Sequence, residues 1–144
     1  MVKAGWIMTA LLLLFLLPAS VAPKLMTASV AVDSLVSIGW PTRYLLMLGL
    51  VELGCLVLFV IPRTGLLGAI LMTGLLGGAM ASHLRAGSPM LSHTLFSIYL
   101  GLFMWAALWL RDERLRPLLP WDRSGRRGEA HLAMEAPAAP HESR

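Results

Sequence analysis

Four long apolar runs constrain what this chain can fold into more than any other feature. They cover residues 4–22, 44–61, 65–82 and 94–110. Each is close to the ~20 residues that an α-helix needs to cross the hydrocarbon core of a bilayer. From Arg43 to Leu110 the chain carries only four charged residues, which is too few to give a soluble domain a polar surface. The sequence therefore predicts an all-α fold, a transmembrane four-helix bundle.

The first apolar run has two interpretations. Lys3 ahead of it and the small residues Ala19–Ala22 at its end are typical of a secretory signal peptide. However, Pro23 would follow the cut and disfavours cleavage, and the run is long enough to span a membrane. We therefore expect residues 1–22 to stay attached as the first transmembrane helix, with Pro18 kinking or ending it near the far interface.

The segments between and after the apolar runs complete the organisation. Residues 24–40 can form a helix with one apolar and one polar face, which predicts a short interfacial helix between spans one and two. Beyond Asp122 the chain is polar and rich in proline, a composition that favours disorder. The predicted domains are a four-helix transmembrane domain at 1–121 and a disordered cytoplasmic tail at 122–144.

The basic residues predict an orientation. If the N-terminus is inside, eight Lys and Arg residues near span ends lie inside and three lie outside. The three on the outer side are Lys24, Arg43 and Arg85. Because cytoplasmic loops carry an excess of Lys and Arg, both termini should be cytoplasmic. The net charge of +4 therefore reflects membrane topology, and we expect no nucleic-acid partner.

The third span carries small residues at a regular spacing. The two rows are Gly65, Ala69, Thr73, Gly77 and Ala81, and beside them Gly74, Gly78 and Ser82. Small residues every four positions let helix backbones approach closely in lipid. The rows predict that the third span is central in the bundle, although they could equally leave room for a ligand headgroup. A homo-oligomer also stays open as a possibility.

Glu52 lies in the middle of the second span. A carboxylate at this depth costs roughly 3 kcal/mol, so it should face protein or water. It is equally well interpreted as a functional group and as a structural residue that joins helices. Its depth matches Gly74 on the third span and Tyr99 on the fourth, and Tyr99 could hydrogen-bond to it. Cys55, on the same helical face, is more simply a small buried apolar residue.

A second polar group is predicted at the outer end of the third span. His83, Arg85 and His93 belong to it, and Lys24 lies at the same outer surface. His83 is ~13 Å above the level of Glu52, so one compact site is not expected. The group could form a polar path to Glu52 or bind an anionic or quinone-like headgroup. Two histidines at this spacing are weak metal ligands, and we expect no metal site.

Several stretches resemble the DoxX-like family over about residues 5–121. They are LVELG at 50–54, IPRTGLLGAI at 61–70, TGLLGGA at 73–79, HLR at 83–85, SHTLF at 92–96 and RDERLRPLLP at 111–120. The resemblance implies a four-helix protein of the bacterial inner (plasma) membrane. The wider family is named for a small subunit of a thiosulfate:quinone oxidoreductase, and other relatives are linked to membrane redox complexes and oxidative stress. Glu52, His83, Arg85 and His93 match the family pattern and are carried over as candidates.

Two functions follow as hypotheses. The first is a non-catalytic subunit or scaffold of a quinone-linked membrane redox system, with a redox partner protein and quinone as the possible bound cofactor. The single cysteine and the lack of any catalytic motif give no sign of autonomous enzymatic activity. The alternative is a small transporter or lipid-handling protein in which Glu52 is a mid-membrane proton-binding group.

Overall fold

The structure is a computed structural model that describes residues 1–91 and 95–118, and these residues form helices and no strand. The α-helices are α1 (Val2–Leu16), α2 (Ala22–Leu25), α3 (Ser29–Ser37), α4 (Leu45–Val60), α5 (Gly65–Arg85) and α6 (Phe96–Arg111). A π-helical turn, Leu17–Val21, joins α1 to α2, and short 3-10 turns cover Thr42–Tyr44 and Glu113–Leu118. Residues 1–112 form one compact unit, and the 3-10 turn Glu113–Leu118 belongs to a second.

Three helical segments are long and apolar enough to cross a membrane. They are Val2–Leu25, Thr42–Val60 and Gly65–Arg85. The fourth predicted span also forms an apolar helix, but Phe96–Arg111 has 16 residues and is shorter than a typical span. Many large apolar side chains point outward and are exposed, among them Leu14, Leu50 and Leu102. Lipid is the solvent that suits such a surface.

The first membrane helix is longer than the sequence predicted. Pro18 does not end it, because the helix passes through the π-helical turn, where the N–H of Ala22 bonds to the carbonyl of Leu17 five residues back. This wider turn absorbs the missing N–H and the bulk of the proline ring. The helix ends only at Leu25, so Lys24 belongs to the first span and not to the interfacial segment.

A short helix does form between the first two spans. Helix α3 is bracketed by Thr27 and Gly39, which have φ values of +48° and +80° and so turn the chain at both ends. Leu35 is buried beneath it, whereas Val30 and Val36 are exposed. We call this end of the molecule the α3 end and the opposite end, at the 61–64 turn, the hairpin end.

The long helices pack in a ring. Helix α1 packs against α6, α6 against α5, and α5 against α4. Helix α4 closes the ring by packing against the π-helical turn and α2, which continue α1. The buried apolar side chains inside the ring include Leu12, Leu16, Leu56, Phe59, Ala69, Met72, Met104 and Leu108.

The small residues of α5 pack over only half of the helix. Gly65 and Ala69 are buried, and Thr73 accepts a 3.0 Å hydrogen bond from Nε1 of Trp105. By contrast, a Cβ added at Gly74, Gly77 or Gly78 would meet no atom within 4 Å, and Ala81 is exposed.

The prediction that the small-residue rows pack along the whole of the third span is therefore wrong for the half of α5 near the α3 end. An α-helix turns about 100° per residue, so a row of every fourth residue drifts about 40° at each step. The row therefore begins against the neighbouring helices at Gly65 and has turned outward by Gly77.

Candidate functional site

Glu52 is buried inside the ring and forms an ion pair. Its Oε2 lies 2.6 Å from Nζ of Lys24, and only 5% of the residue is exposed. The Lys24 ammonium also donates a 2.6 Å hydrogen bond to Oγ of Ser20, one turn earlier on the same helix. The three side chains form a compact polar group that joins the first span to α4, and we call it the Lys24–Glu52 site.

A glycine lets the two helices come together at this site. A Cβ placed on Gly49 would lie 3.0 Å from Cβ of Lys24 and 3.2 Å from Cδ2 of Leu25. The lysine backbone therefore lies beside α4, one turn before Glu52. Since Cα–Cβ bonds tilt toward the start of their helix, the lysine side chain runs back toward Ser20 and places its ammonium at the carboxylate.

The site is more open at the lysine than at the glutamate. The Lys24 side chain is 27% exposed, whereas that of Glu52 is 7% exposed. The bonds to Ser20 and Glu52 use two of the three N–H donors of the ammonium. The arrangement can therefore offer a hydrogen-bond donor, next to an ionised pair, to a group that approaches through an apolar surface.

The partner of Glu52 differs from the sequence prediction. Tyr99 is 54% exposed, and no hydrogen bond joins it to Glu52 in the described part of the chain. It lies on α6, which packs mainly on α1 and α5, whereas α4 is on the other side of the ring. The prediction paired Glu52 and Tyr99 because they lie at the same depth. Depth alone does not show whether two helices are neighbours.

The partner that sequence reasoning missed is Lys24. The apolar run ends at Ala22 and Pro18 is expected to kink or end the helix, so the sequence places Lys24 in the interfacial segment. A usable signal was present, since Ser20 and Lys24 are one helical turn apart at the end of an apolar run. A mid-membrane carboxylate also needs a cation or water, and this lysine adjoins a span.

The polar residues at the α3 end do not join the Lys24–Glu52 site directly. The Nδ1 atom of His83 lies 3.1 Å from Oγ of Ser88, in the turn that follows α5. Nη2 of Arg85 donates to the carbonyl of Ile38 at 3.3 Å. His93 lies outside the described residues. His83 and Arg85 therefore stabilise the α3 end of the molecule.

Arg111 is buried, although in the sequence it stands out only as a basic residue near a span end and as the first residue of RDERLRPLLP. Its Nη1 donates to Oγ1 of Thr9 at 3.3 Å, and its Nη2 donates to the carbonyl of Phe59. The guanidinium also lies 4.3 Å from the ring centroid of Phe59 and 4.9 Å from that of Trp6. One side chain thus ties α6 to α1 and α4 at the hairpin end.

The contact with Phe59 has a clear physical reason. The last carbonyls of α4 have no partner within the helix, and a cation at a helix C-terminus is favourable. The hydroxyl of Thr64 bonds to the carbonyl of Leu58 at 2.9 Å, and Arg111 satisfies the next one. Gly65 makes room for the guanidinium, because a Cβ there would lie 2.9 Å from Nη2.

Two other kinds of site chemistry are a reactive thiol and a metal centre. Cys55 is a buried free cysteine, three residues after Glu52. Within residues 1–91 and 95–118, no group of three His, Cys, Asp or Glu side chains could hold a metal ion.

Comparison with known proteins identifies one family. The family model described as the DoxX-like family matches residues 7–107. The matched range contains Ser20, Lys24 and Glu52, and it ends before Arg111. Comparisons with curated proteins and with solved structures gave no match.

Proposed function

The chain belongs to the DoxX-like family, and from that premise we propose that it is a non-catalytic subunit or scaffold of a quinone-linked redox system. The membrane is the bacterial inner membrane, and both termini are cytoplasmic. Helix α6 acts as the fourth span and completes a four-helix bundle. The ring packing of α1, α4, α5 and α6 supports the bundle, and the distribution of Lys and Arg supports the orientation.

The Lys24–Glu52 site is the observation that carries this proposal. A quinone headgroup is an apolar ring with carbonyl oxygens that accept hydrogen bonds. The partly exposed ammonium of Lys24 is a suitable donor, and it lies between two predominantly apolar helices, the first span and α4. Ligand sites commonly combine an apolar wall with a few polar groups in this way. The chain has a single cysteine, so dithiol chemistry would come from the partner protein.

The test is purification of the full chain in mild detergent, followed by analysis of bound quinone and of co-purifying proteins. Lys24→Met should lose the quinone. The control is Lys3→Met, which removes an exposed lysine near the other end of the same helix and should leave binding intact. Equal quinone in the two variants would refute the headgroup site. Recovery of neither quinone nor an oxidoreductase with the unmodified chain would refute the redox assignment as a whole.

The second candidate is a small transporter or lipid-handling protein that uses Glu52 to bind a proton. The burial of Glu52 within a span favours it. It ranks second because the carboxylate is already paired with Lys24, so a bound proton would have to compete with that ion pair. This candidate predicts that Glu52→Gln abolishes a proton-coupled flux while the protein keeps its abundance. A loss of abundance alone would assign Glu52 a structural role.

A further inference from the structure

Two exposed arginines lie at the α3 end, on either side of one turn of the chain. Arg85 contacts the turn at Ile38, and its Nη2 is 3.5 Å from the position of a Cβ on Gly39. Arg43 donates from Nη2 to Oη of Tyr44 at 3.1 Å, and its guanidinium lies 4.9 Å from the tyrosine ring centroid. The two guanidiniums come from different elements, the 3-10 turn Thr42–Tyr44 and the end of α5, and each contacts the segment 38–44.

Aromatic side chains hold this segment in place. The ring of Trp40 meets that of Tyr44 edge-on, with centroids 6.1 Å apart. Nε1 of Trp40 donates to Oγ of Ser82 at 3.0 Å, which ties the turn to α5. Because the turn and both arginines are already positioned, a ligand that binds them loses little additional conformational freedom. We call Trp40, Arg43, Tyr44 and Arg85 the arginine cluster.

The positive charge of the cluster has no carboxylate partner within the described residues. Glu52 is bonded to Lys24, and the exposed Asp33 of α3 forms no ion pair with either arginine. A guanidinium has five N–H donors in a planar fork, and the bonds to Tyr44 and Ile38 use one nitrogen of each arginine. The remaining donors match the geometry of a phosphate.

The surface next to the cluster is apolar. Leu46, Met47 and Leu50 lie in the first turns of α4, three, four and seven residues after Arg43, and their spacing places them along one side of that helix. All three are exposed. Trp and Tyr side chains are also typical of the depth at which lipid headgroups lie. A free phosphate would use only the arginines, whereas a lipid would use both the arginines and this apolar strip.

We propose that Arg43 and Arg85 bind the phosphate of an anionic phospholipid, whose acyl chain lies along Leu46, Met47 and Leu50. The site is separate from the Lys24–Glu52 site and does not depend on quinone binding. Its role is to fix a lipid where α3, α4 and α5 meet.

The test is native mass spectrometry of the full chain released from detergent, after addition of phosphatidylglycerol, phosphatidylcholine or inorganic phosphate. The unmodified chain should retain phosphatidylglycerol severalfold more than phosphatidylcholine. The double variant Arg43→Gln/Arg85→Gln should lose that preference. The matched control is Arg63→Gln, which removes an exposed arginine at the hairpin end and should keep it.

Three results would overturn the proposal. They are equal retention of the two lipids by the unmodified chain, an equal loss in the Arg63→Gln control, and displacement of the lipid by millimolar inorganic phosphate. If the double glutamine variant does not fold, Arg43→Lys/Arg85→Lys keeps the charge but not the guanidinium fork. It should show a reduced preference for phosphatidylglycerol, and an undiminished preference would count against the site.

Discussion

At the scale of single residues, the Lys24–Glu52 pair has energetic consequences that can be measured. Removal of one partner leaves an uncompensated charge in a buried position, which costs about 3–5 kcal/mol. Replacement of both by apolar residues of similar size leaves no such charge. We therefore expect Lys24→Met and Glu52→Met each to lower stability strongly, and the double variant to recover most of the loss.

The measurement is a double-mutant cycle from unfolding of the purified protein in detergent. A large favourable coupling energy supports the ion pair. Additive losses would show that the two side chains do not interact, and that would contradict the geometry described above.

Arg111 gives a second prediction at this scale. Arg111→Lys keeps the charge but loses the planar guanidinium that bonds to Thr9 and the Phe59 carbonyl and lies against two rings. With one buried carbonyl left unpaired and the ring contacts weakened, we expect a loss of about 3 kcal/mol. Unfolding measurements should show a much smaller effect for Arg63→Lys, an exposed arginine at the same end. Similar effects for the two variants would contradict the structural role of Arg111.

Residue by residue, the candidate site was only partly predictable. Glu52 stood out from sequence because charge is rare within a span, and the structure places it inside the ring. Its partner Lys24 did not stand out, because the expected effect of Pro18 on a helix and the end of the apolar run at Ala22 place this lysine outside the first span. Arg111 lies just after an apolar run, and nothing in the sequence separates a buried arginine from one that contacts lipid headgroups.

At the scale of elements, α5 has one half that packs tightly and one half that faces outward. A Cβ on Gly68 would overlap the backbone of Phe59 and force α4 and α5 apart, whereas one on Gly77 would meet open space. We expect Gly68→Ala to cost about 1–3 kcal/mol.

The matched change on the same helix is Gly77→Ala. It should be neutral or slightly stabilising, because alanine favours helix by up to about 1 kcal/mol over glycine. Thermal melting of both variants in detergent tests the contrast. Equal destabilisation would show that the outward half of α5 is also packed.

The helices themselves were easier to predict than their contacts. Hydropathy located α4 and α5 almost to their ends, because lipid demands long apolar runs whatever the neighbours are. The drift of the glycine rows around α5, and the passage of the first helix through Pro18, depend on geometry that a linear spacing does not reveal.

At the scale of the whole molecule, the order of helices around the ring determines what can meet. Helix α4 lies next to α5 and to the end of the first span, so Glu52 meets Lys24 and not Tyr99. The depth of a residue along its helix can be estimated from the sequence, but the neighbours of that helix cannot. For this reason the membrane class and family were predictable, whereas the composition of the site was not.

We propose that the Lys24–Glu52 pair is a ligand site as well as a structural contact. The most direct test measures quinone bound to the double variant Lys24→Met/Glu52→Met, in which the structural cost is largely removed. The variant should fold and melt close to the unmodified protein, yet it should carry no quinone. If it folds normally and retains quinone at the level of the unmodified protein, the pair is structural only and the proposed site is wrong.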